Sequence, residues 1–88
     1  MEQKFDIKQA LRVYYKIVQH GQKVNDEHRL NDVWASADHD GYTVMLHDDA
    51  VTLHIFFHNT HKFTYKRAIQ LEQFMTRLAE LDRMQLNK

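Results

Sequence analysis

Histidine is the residue type in this sequence best suited to chemistry, with seven copies in 88 residues. Neutral imidazole is a common metal ligand, and its charge changes near pH 6.5. The spacing His54-x-x-x-His58 falls in a segment that reads as a β-strand. At about 3.3 Å per residue the two rings lie about 13 Å apart, too far for one ion held at about 2.0–2.1 Å per ligand. Diagonal neighbours His47 and His54, or His58 with His61, leave a metal site as a distant alternative, and no cofactor is expected.

Aspartates give a second candidate site, because Asp38-x-Asp40-Gly41 is similar to the start of a calcium-binding loop. Aligning Gly41 with the loop glycine places Ser36 first and His47 twelfth. A calcium loop requires an acid at the first position and a bidentate glutamate at the twelfth. Ser36 is not an acid and His47 is not a glutamate. We therefore predict that these aspartates form turns instead.

Catalysis has two weak candidates, His39 between two aspartates and His47 before two more, since a neighbouring carboxylate can orient a histidine base. Ser36 is the single serine, and the chain has no cysteine. There is no nucleophile elbow, P-loop or dinucleotide-binding motif. We predict that the protein is not an enzyme.

Most of these residues lie on three predicted strands, at about 33–38, 42–47 and 51–58, where apolar residues recur at every second position. Asp40-Gly41 favours a hairpin between the first two strands, and Asp48-Asp49-Ala50 is a weaker turn signal. With even-length loops, alternation divides the residues between two faces. The predicted core face carries Val33, Ala35, Ala37, Tyr42, Val44, Leu46, Val51, Leu53, Ile55 and Phe57. The other face carries Trp34, Ser36, Asp38, Thr43, Met45, His47, Thr52, His54, Phe56 and His58.

The second face is unusual, because Trp34, Met45 and Phe56 are large apolar residues on a surface that water would otherwise cover. A cluster of this kind indicates a covered surface. Three explanations remain open: the second helix or a terminus covers it, the chain forms a homodimer through it, or another protein or a flat ligand binds there.

Two predicted helices flank the strands. The first runs from about 6 to 20, with Asp6 as N-cap and Gly21 as the C′ residue. Its apolar arc carries Ile7, Leu11, Tyr14 and Val18, with Ala10 and Ile17 beside them. The second runs from about 64 to 84, capped by Thr64, with apolar residues Ala68, Leu71, Phe74, Met75, Leu78, Ala79 and Leu81.

The remaining segments read as connections. Residues 22–32 are predicted as a loop with room for a short strand near Leu30, and residues 58–63 as a connector in which Phe63 plugs the core edge. The whole chain, 1–88, is expected to be a single α+β domain of order α-β-β-β-α. Its predicted architecture is a three-stranded antiparallel meander with both helices packed on one face.

A basic stripe on the first helix offers the alternative function of a nucleic-acid-binding regulator. Lys4, Lys8, Arg12 and Lys16 recur every four residues, and Lys66 and Arg67 could extend the contact. However, twelve basic and twelve acidic residues cancel, so no global field attracts nucleic acid or an anionic membrane. The chain has no signal-peptide pattern and no run of 18 apolar residues, so we expect a cytoplasmic protein without membrane contact.

Several short motifs carry a resemblance to a known family. They are Asp38-His39-Asp40-Gly41-Tyr42-Thr43, Val51-Thr52-Leu53 and Phe56-Phe57-His58-Asn59, preceded by a helix containing Ala10-Leu11-Arg12-Val13. Together they resemble a family of small bacterial proteins that is a domain of unknown function. The resemblance implies a small bacterial protein, and it transfers no activity and no catalytic residue.

The sequence therefore favours a non-enzymatic protein-interaction or regulatory module that homodimerises through the second sheet face. Trp34, Met45 and Phe56 are the expected anchors, because large apolar residues dominate interface cores. His47, His54 and His58 lie among them and would make the contact sensitive to pH.

Overall fold

The computed structural model describes residues 5–39, 41–56 and 60–84. Its elements are α1 (Ile7–His20), β1 (Gln22–Val24), β2 (Glu27–Leu30), β3 (Val33–Ala37), β4 (Thr43–His47), β5 (Thr52–Phe56), β6 (His61–Thr64) and α2 (Ala68–Arg83). The predicted α+β class is confirmed. The sheet is larger than predicted, with six antiparallel strands in the order β1-β2-β3-β4-β5-β6 instead of three.

The additional strands lie in segments that the sequence predicts as connections, and β2 contains the short strand expected near Leu30. β1 and β2 are joined at Asn25, which has φ 57°, and β2 and β3 by Asn31 and Asp32, with φ 51° and 68°. Asn and Asp tolerate this left-handed conformation, and two successive positive φ values make a hairpin turn that matches strand twist. Polar two-residue turns therefore link short strands here, and β6 occupies the predicted connector.

The three central strands follow the predicted alternation. Ala37 pairs with Val44 and His47 with Thr52, so both intervening loops are even in length. The core-face residues Val33, Ala35, Leu46, Val51, Leu53 and Ile55 are all buried. Alternation assigns Ala37 and Tyr42 to the core face as well, but both are exposed because they flank the β3–β4 turn.

Helix α1 begins as predicted, since the Asp6 side chain accepts a hydrogen bond from the Lys8 backbone N–H at 3.0 Å. Its buried residues are Ala10, Val13 and Ile17, so the apolar face is rotated from the predicted arc, whose members lie half-buried at its flank. The two arcs together form one broad stripe, and the sheet contacts a different part of it than periodicity alone indicated.

Helix α2 begins at Ala68, four residues later than predicted. Thr64 is not its cap, because it pairs with Thr52 in the sheet. The buried residues of α2 are Phe74, Leu78 and Leu81. The expectation for Phe63 is confirmed, since its ring packs edge-on against Phe74 with centroids 6.5 Å apart.

Both helices lie on the same face of the sheet, as predicted. α1 packs against β1, β2 and β3 and against α2, and the buried residues of both helices join those of the sheet in one core. The domain measures 37 × 30 × 22 Å. Among the described residues, neither helix is long and apolar enough to cross a membrane.

Candidate functional site

The sheet face opposite the helices, called the outer face below, holds most of the predicted site residues. Its members on the six strands are Gln22, Val24, Glu27, Arg29, Trp34, Ser36, Thr43, Met45, His47, Thr52, His54, Phe56, Lys62 and Thr64. Because α2 packs on the inner face, the option that the second helix covers this surface is wrong. The option that a terminus covers it concerns residues 1–4 and 85–88, which lie outside the described residues.

Trp34 is the largest side chain of the outer face. Its ring stacks on that of His47, its register partner, with centroids 6.1 Å apart and planes 6° from parallel. The guanidinium of Arg29, its partner on the other side, lies 5.8 Å from the indole centroid, within cation–π range. Neighbours on both adjacent strands therefore hold the half-buried ring in place.

His47 also contacts Glu27, two strands away. Its Nε2 lies 3.0 Å from Glu27 Oε1, and the two side chains are 30% and 37% exposed. The carboxylate holds the imidazole in position and forms an ion pair with it when the ring is protonated. These groups border an open cleft of about 370 Å³, which is lined by Val24, Asn25, Asp26, Glu27, Trp34 and His47.

Sequence reasoning missed Glu27 and Arg29, because the polar segment 22–32 predicts a loop with only a short strand near Leu30 and gives no pairing partner for it. The available signal was the repeated dipeptide Asn-Asp at 25–26 and 31–32, with a four-residue segment between the copies. Asn-rich two-residue turns are typical of hairpins.

His54 lies in the apolar part of the outer face. It pairs with Met45 on one side and Lys62 on the other, and its ring stacks on Phe56 with centroids 6.1 Å apart. Its Nδ1 is buried and has no hydrogen-bond partner within the described chain. A buried imidazole nitrogen without a partner is costly.

The structure brings five of the six predicted interface residues together. Trp34 is beside His47, Met45 is beside His54, and Phe56, 37% exposed, follows two residues after His54 on the same face. The sixth, His58, falls outside the described residues. The result is a surface across three neighbouring strands in which apolar and aromatic side chains are interspersed with Ser36, Thr43 and Thr52.

A family model described as Protein of unknown function (DUF3081) matches residues 5–88. The chain belongs to this family. The resemblance drawn from the short motifs is therefore confirmed, and membership brings no known activity. No curated protein and no solved structure gives a significant match.

In this member of the family, the basic stripe contributes to helix packing. Arg12 donates from Nε and Nη2 to the two carboxylate oxygens of Asp82, both at 2.9 Å. These hydrogen bonds raise the pKa of Arg12 and lower the pKa of Asp82, while partial burial of the carboxyl acts in the opposite direction. Lys16 donates to backbone carbonyls at the end of α2.

Lys8 is the stripe residue that the structure leaves exposed and without an ion pair in the described chain, and Lys4 lies outside it. Nucleic-acid contact through this stripe would therefore have to disrupt the α1–α2 contacts or rely on few cations. Lys66 and Arg67 are exposed ahead of α2.

Metal and calcium chemistry receive no support from the arrangement of side chains. Within residues 5–39, 41–56 and 60–84, no three His, Asp or Glu side chains group closely enough to hold an ion. The turn prediction is confirmed at Asp38, whose backbone N–H donates to Thr43 O at 2.9 Å and whose carbonyl accepts from Gly41 N–H at 3.1 Å. Asp40 is outside the described residues.

Proposed function

We propose that this protein is a non-enzymatic interaction module that homodimerises through the outer face and so acts as a regulatory or binding partner. One observation supports this above all: both helices pack on the inner face, and the outer face presents Trp34, Met45 and Phe56 at diagonal positions on three neighbouring strands. Tryptophan and methionine are enriched in interfaces, as is arginine, which Arg29 supplies here. The absence of enzymatic activity and the cytoplasmic location stay predictions from the sequence.

The outer face is large enough for a small contact with a second copy of the same sheet. Six strands about 4.8 Å apart, with three to five residues each at about 3.3 Å, make a face of at most roughly 29 by 17 Å, or about 480 Å² before side-chain relief. Standard interfaces bury about 800 Å² on each partner. Two such faces can stack about 10 Å apart as a sandwich, so we expect a dimer of modest affinity.

Histidines make this contact responsive to pH. His54 faces Met45 and the diagonal His47 from β4, and Lys62 from β6, so a protonated ring would meet positive charge without a carboxylate beside it. His47 differs, because Glu27 compensates its charge. Burying charged His54 in the interface is costly, so acid should weaken association.

Native mass spectrometry and sedimentation on untagged protein test the proposal. We expect a dimer at micromolar concentration and a larger monomer fraction at pH 5.5 than at pH 8. Met45→Glu places a charge in the centre of the outer face and should give a monomer with an unchanged far-UV spectrum. Ile69→Glu is the matched control, since Ile69 is 56% exposed on α2, away from the outer face, and should stay dimeric.

Fluorescence supplies an independent measurement, because Trp34 is the single tryptophan. Dilution that separates the dimer should shift its emission to longer wavelength, and Met45→Glu should show the shifted emission at every concentration. A folded wild-type monomer at high concentration, or a Met45→Glu variant that remains a dimer, would contradict the proposal.

A further inference from the structure

One row of outer-face residues crosses all six strands in register. It consists of Val24, Glu27, Ser36, Met45, His54 and Lys62, from β1 to β6. Glu27 and Ser36 lie one residue beyond the His28–Ala35 pair, which continues the row between β2 and β3. The two ends of this row are opposite in charge.

The acidic end of the row borders the cleft beside Trp34. Asp26 and Glu27 contribute carboxylates to its lining, and Val24 and the indole contribute apolar surface. Asp26 is exposed and has no ion pair within the described chain. A cleft with two carboxylates and an aromatic wall suits an ammonium group on an aliphatic stem.

The basic end supplies such a group. Lys62 projects from β6 on the outer face, where it is exposed and forms no ion pair with any described residue. Four strand spacings of about 4.8 Å separate β6 from β2, so about 19 Å lies between Lys62 and Glu27 of one molecule. The two ends can therefore meet only between two molecules.

We infer that two copies stack their outer faces about a two-fold axis that runs parallel to the strands between β3 and β4, so that Lys62 of each copy enters the acidic cleft of the other. This inference rests on the proposed homodimer. Such an axis passes through the centre of the six-stranded sheet and overlays β1 on β6, β2 on β5, and β3 on β4 of the second copy, as a two-fold interface requires.

The other residues of the row also fit this axis. The small Ser36 of one copy faces the long Met45 of the other, which favours interdigitation. Glu27 faces His54 of the second copy, but its carboxylate is already bonded to His47 of its own chain, so a protonated His54 still gains no carboxylate of its own. The usual angle of about 30° between stacked sheets displaces the edge strands, and the flexible lysine stem can span that displacement.

A two-fold axis running across the strands is the competing arrangement. It would place β6 over β6 and β1 over β1 of the second copy, so the two Lys62 side chains would approach each other and the two acidic clefts would face one another. Like charges that meet across an interface disfavour binding. Charge therefore selects the axis parallel to the strands.

Charge reversal tests the inference, with dimer dissociation constants measured by sedimentation. Glu27→Lys and Lys62→Glu should each weaken the dimer by about tenfold or more, because each places like charges opposite one another. The double variant E27K/K62E should return to within about threefold of wild type. Rescue can arise only between molecules, since the two sites lie on distant strands of one chain.

A second pair of variants removes the objection that Glu27→Lys also breaks the bond to His47. Asp26→Lys leaves that bond intact and should weaken the dimer, and adding Lys62→Glu should restore it. If both double variants are as weak as their single variants while Met45→Glu still gives a monomer, the axis is wrong and the outer-face dimer stands. If Met45→Glu leaves the dimer intact, the outer-face dimer itself is wrong.

Discussion

The Nζ atom of Lys16, on α1, lies 2.8 Å from the carbonyl oxygen of Leu81, in the last turn of α2. The same ammonium group donates to the carbonyls of Asp82 at 2.9 Å and Met84 at 2.8 Å. The last carbonyls of a helix have no partner within the helix and carry its negative dipole end. One lysine of the first helix therefore caps the second.

Replacing Lys16 with methionine should destabilise the fold. Lys16→Met keeps a long unbranched side chain but removes three charge-assisted hydrogen bonds, so we expect a loss of about 1–3 kcal/mol in the free energy of unfolding. In a domain of this size, 1 kcal/mol corresponds to about 4–8 °C in Tm. Thermal and urea denaturation followed by circular dichroism measure the effect.

Lys8→Met is the matched control for Lys16→Met. Lys8 belongs to the same basic stripe, but its side chain is exposed and makes no ion pair within the described residues. Its replacement should change Tm by less than about 2 °C, as is usual for surface substitutions. Equal melting temperatures for the two variants would show that the capping contacts of Lys16 contribute nothing to stability.

The contact between Arg12 and Asp82 predicts a pH dependence of stability. The hydrogen bonds from Arg12 lower the pKa of Asp82, with a further contribution from Gln9. A carboxyl whose pKa is lowered by folding contributes stability above its unfolded value of about 3.9, and the contribution is lost as pH falls through the folded value. The difference in Tm between wild type and Asp82→Asn should therefore be constant above about pH 5 and shrink below about pH 4.

Glu72→Gln controls for the general effect of removing an acid from α2, because Glu72 is exposed and forms no ion pair in the described chain. Its melting temperature should follow that of wild type at every pH. Since Arg12 is largely exposed, the loss in Asp82→Asn should be smaller than in Lys16→Met. A Tm difference for Asp82→Asn that does not change between pH 7 and pH 3 would contradict the assigned ion pair.

Sequence patterns predicted the elements whose signals are local and strong. The alternation from Val33 to Ile55 determined both faces of the central strands, because a single buried face constrains the register. Asp6 was recognisable as a cap because its hydrogen bond is local, to a backbone N–H two residues along the chain. β1 and β6 escaped prediction, and β2 was expected only as a short strand near Leu30, because these strands are short and mostly polar and depend on pairing with their neighbours.

The candidate site was predicted in part for related reasons. Trp34, Met45 and Phe56 were placed together by parity alone. The charged side of the outer face was missed, since Glu27 and Lys62 become members of it only through strands that the sequence did not reveal. The basic stripe was visible, but its partner Asp82 lies seventy residues from Arg12, and periodicity within one helix carries no information about such a contact.

Gly21 follows α1 as predicted, but it does not adopt the left-handed conformation that is usual for a C′ glycine. Its backbone is extended, with φ −79° and ψ 171°, and its N–H donates to the Ile17 carbonyl at 2.7 Å. A Cβ atom at this position would lie 2.5 Å from the carbonyl oxygen of Arg29 and 2.6 Å from that of Ile17. Glycine is required here because the backbones of α1 and β2 approach so closely.

Substitutions at the two glycines should separate crowding from conformation. Gly21→Ala should cost about 1–3 kcal/mol, because both neighbouring atoms belong to the backbone and relieving the overlap requires the chain to shift. Gly41 has φ 77° and open space around the position of a Cβ, so Gly41→Ala should cost about 1 kcal/mol through conformation alone. Asparagine tolerates positive φ, so Gly41→Asn should recover most of the loss, whereas Gly21→Asn should be at least as damaging as Gly21→Ala. Urea denaturation of the four variants measures these differences, and a Gly21→Asn variant more stable than Gly21→Ala would show that conformation, not the approach of α1 to β2, determines the need for glycine.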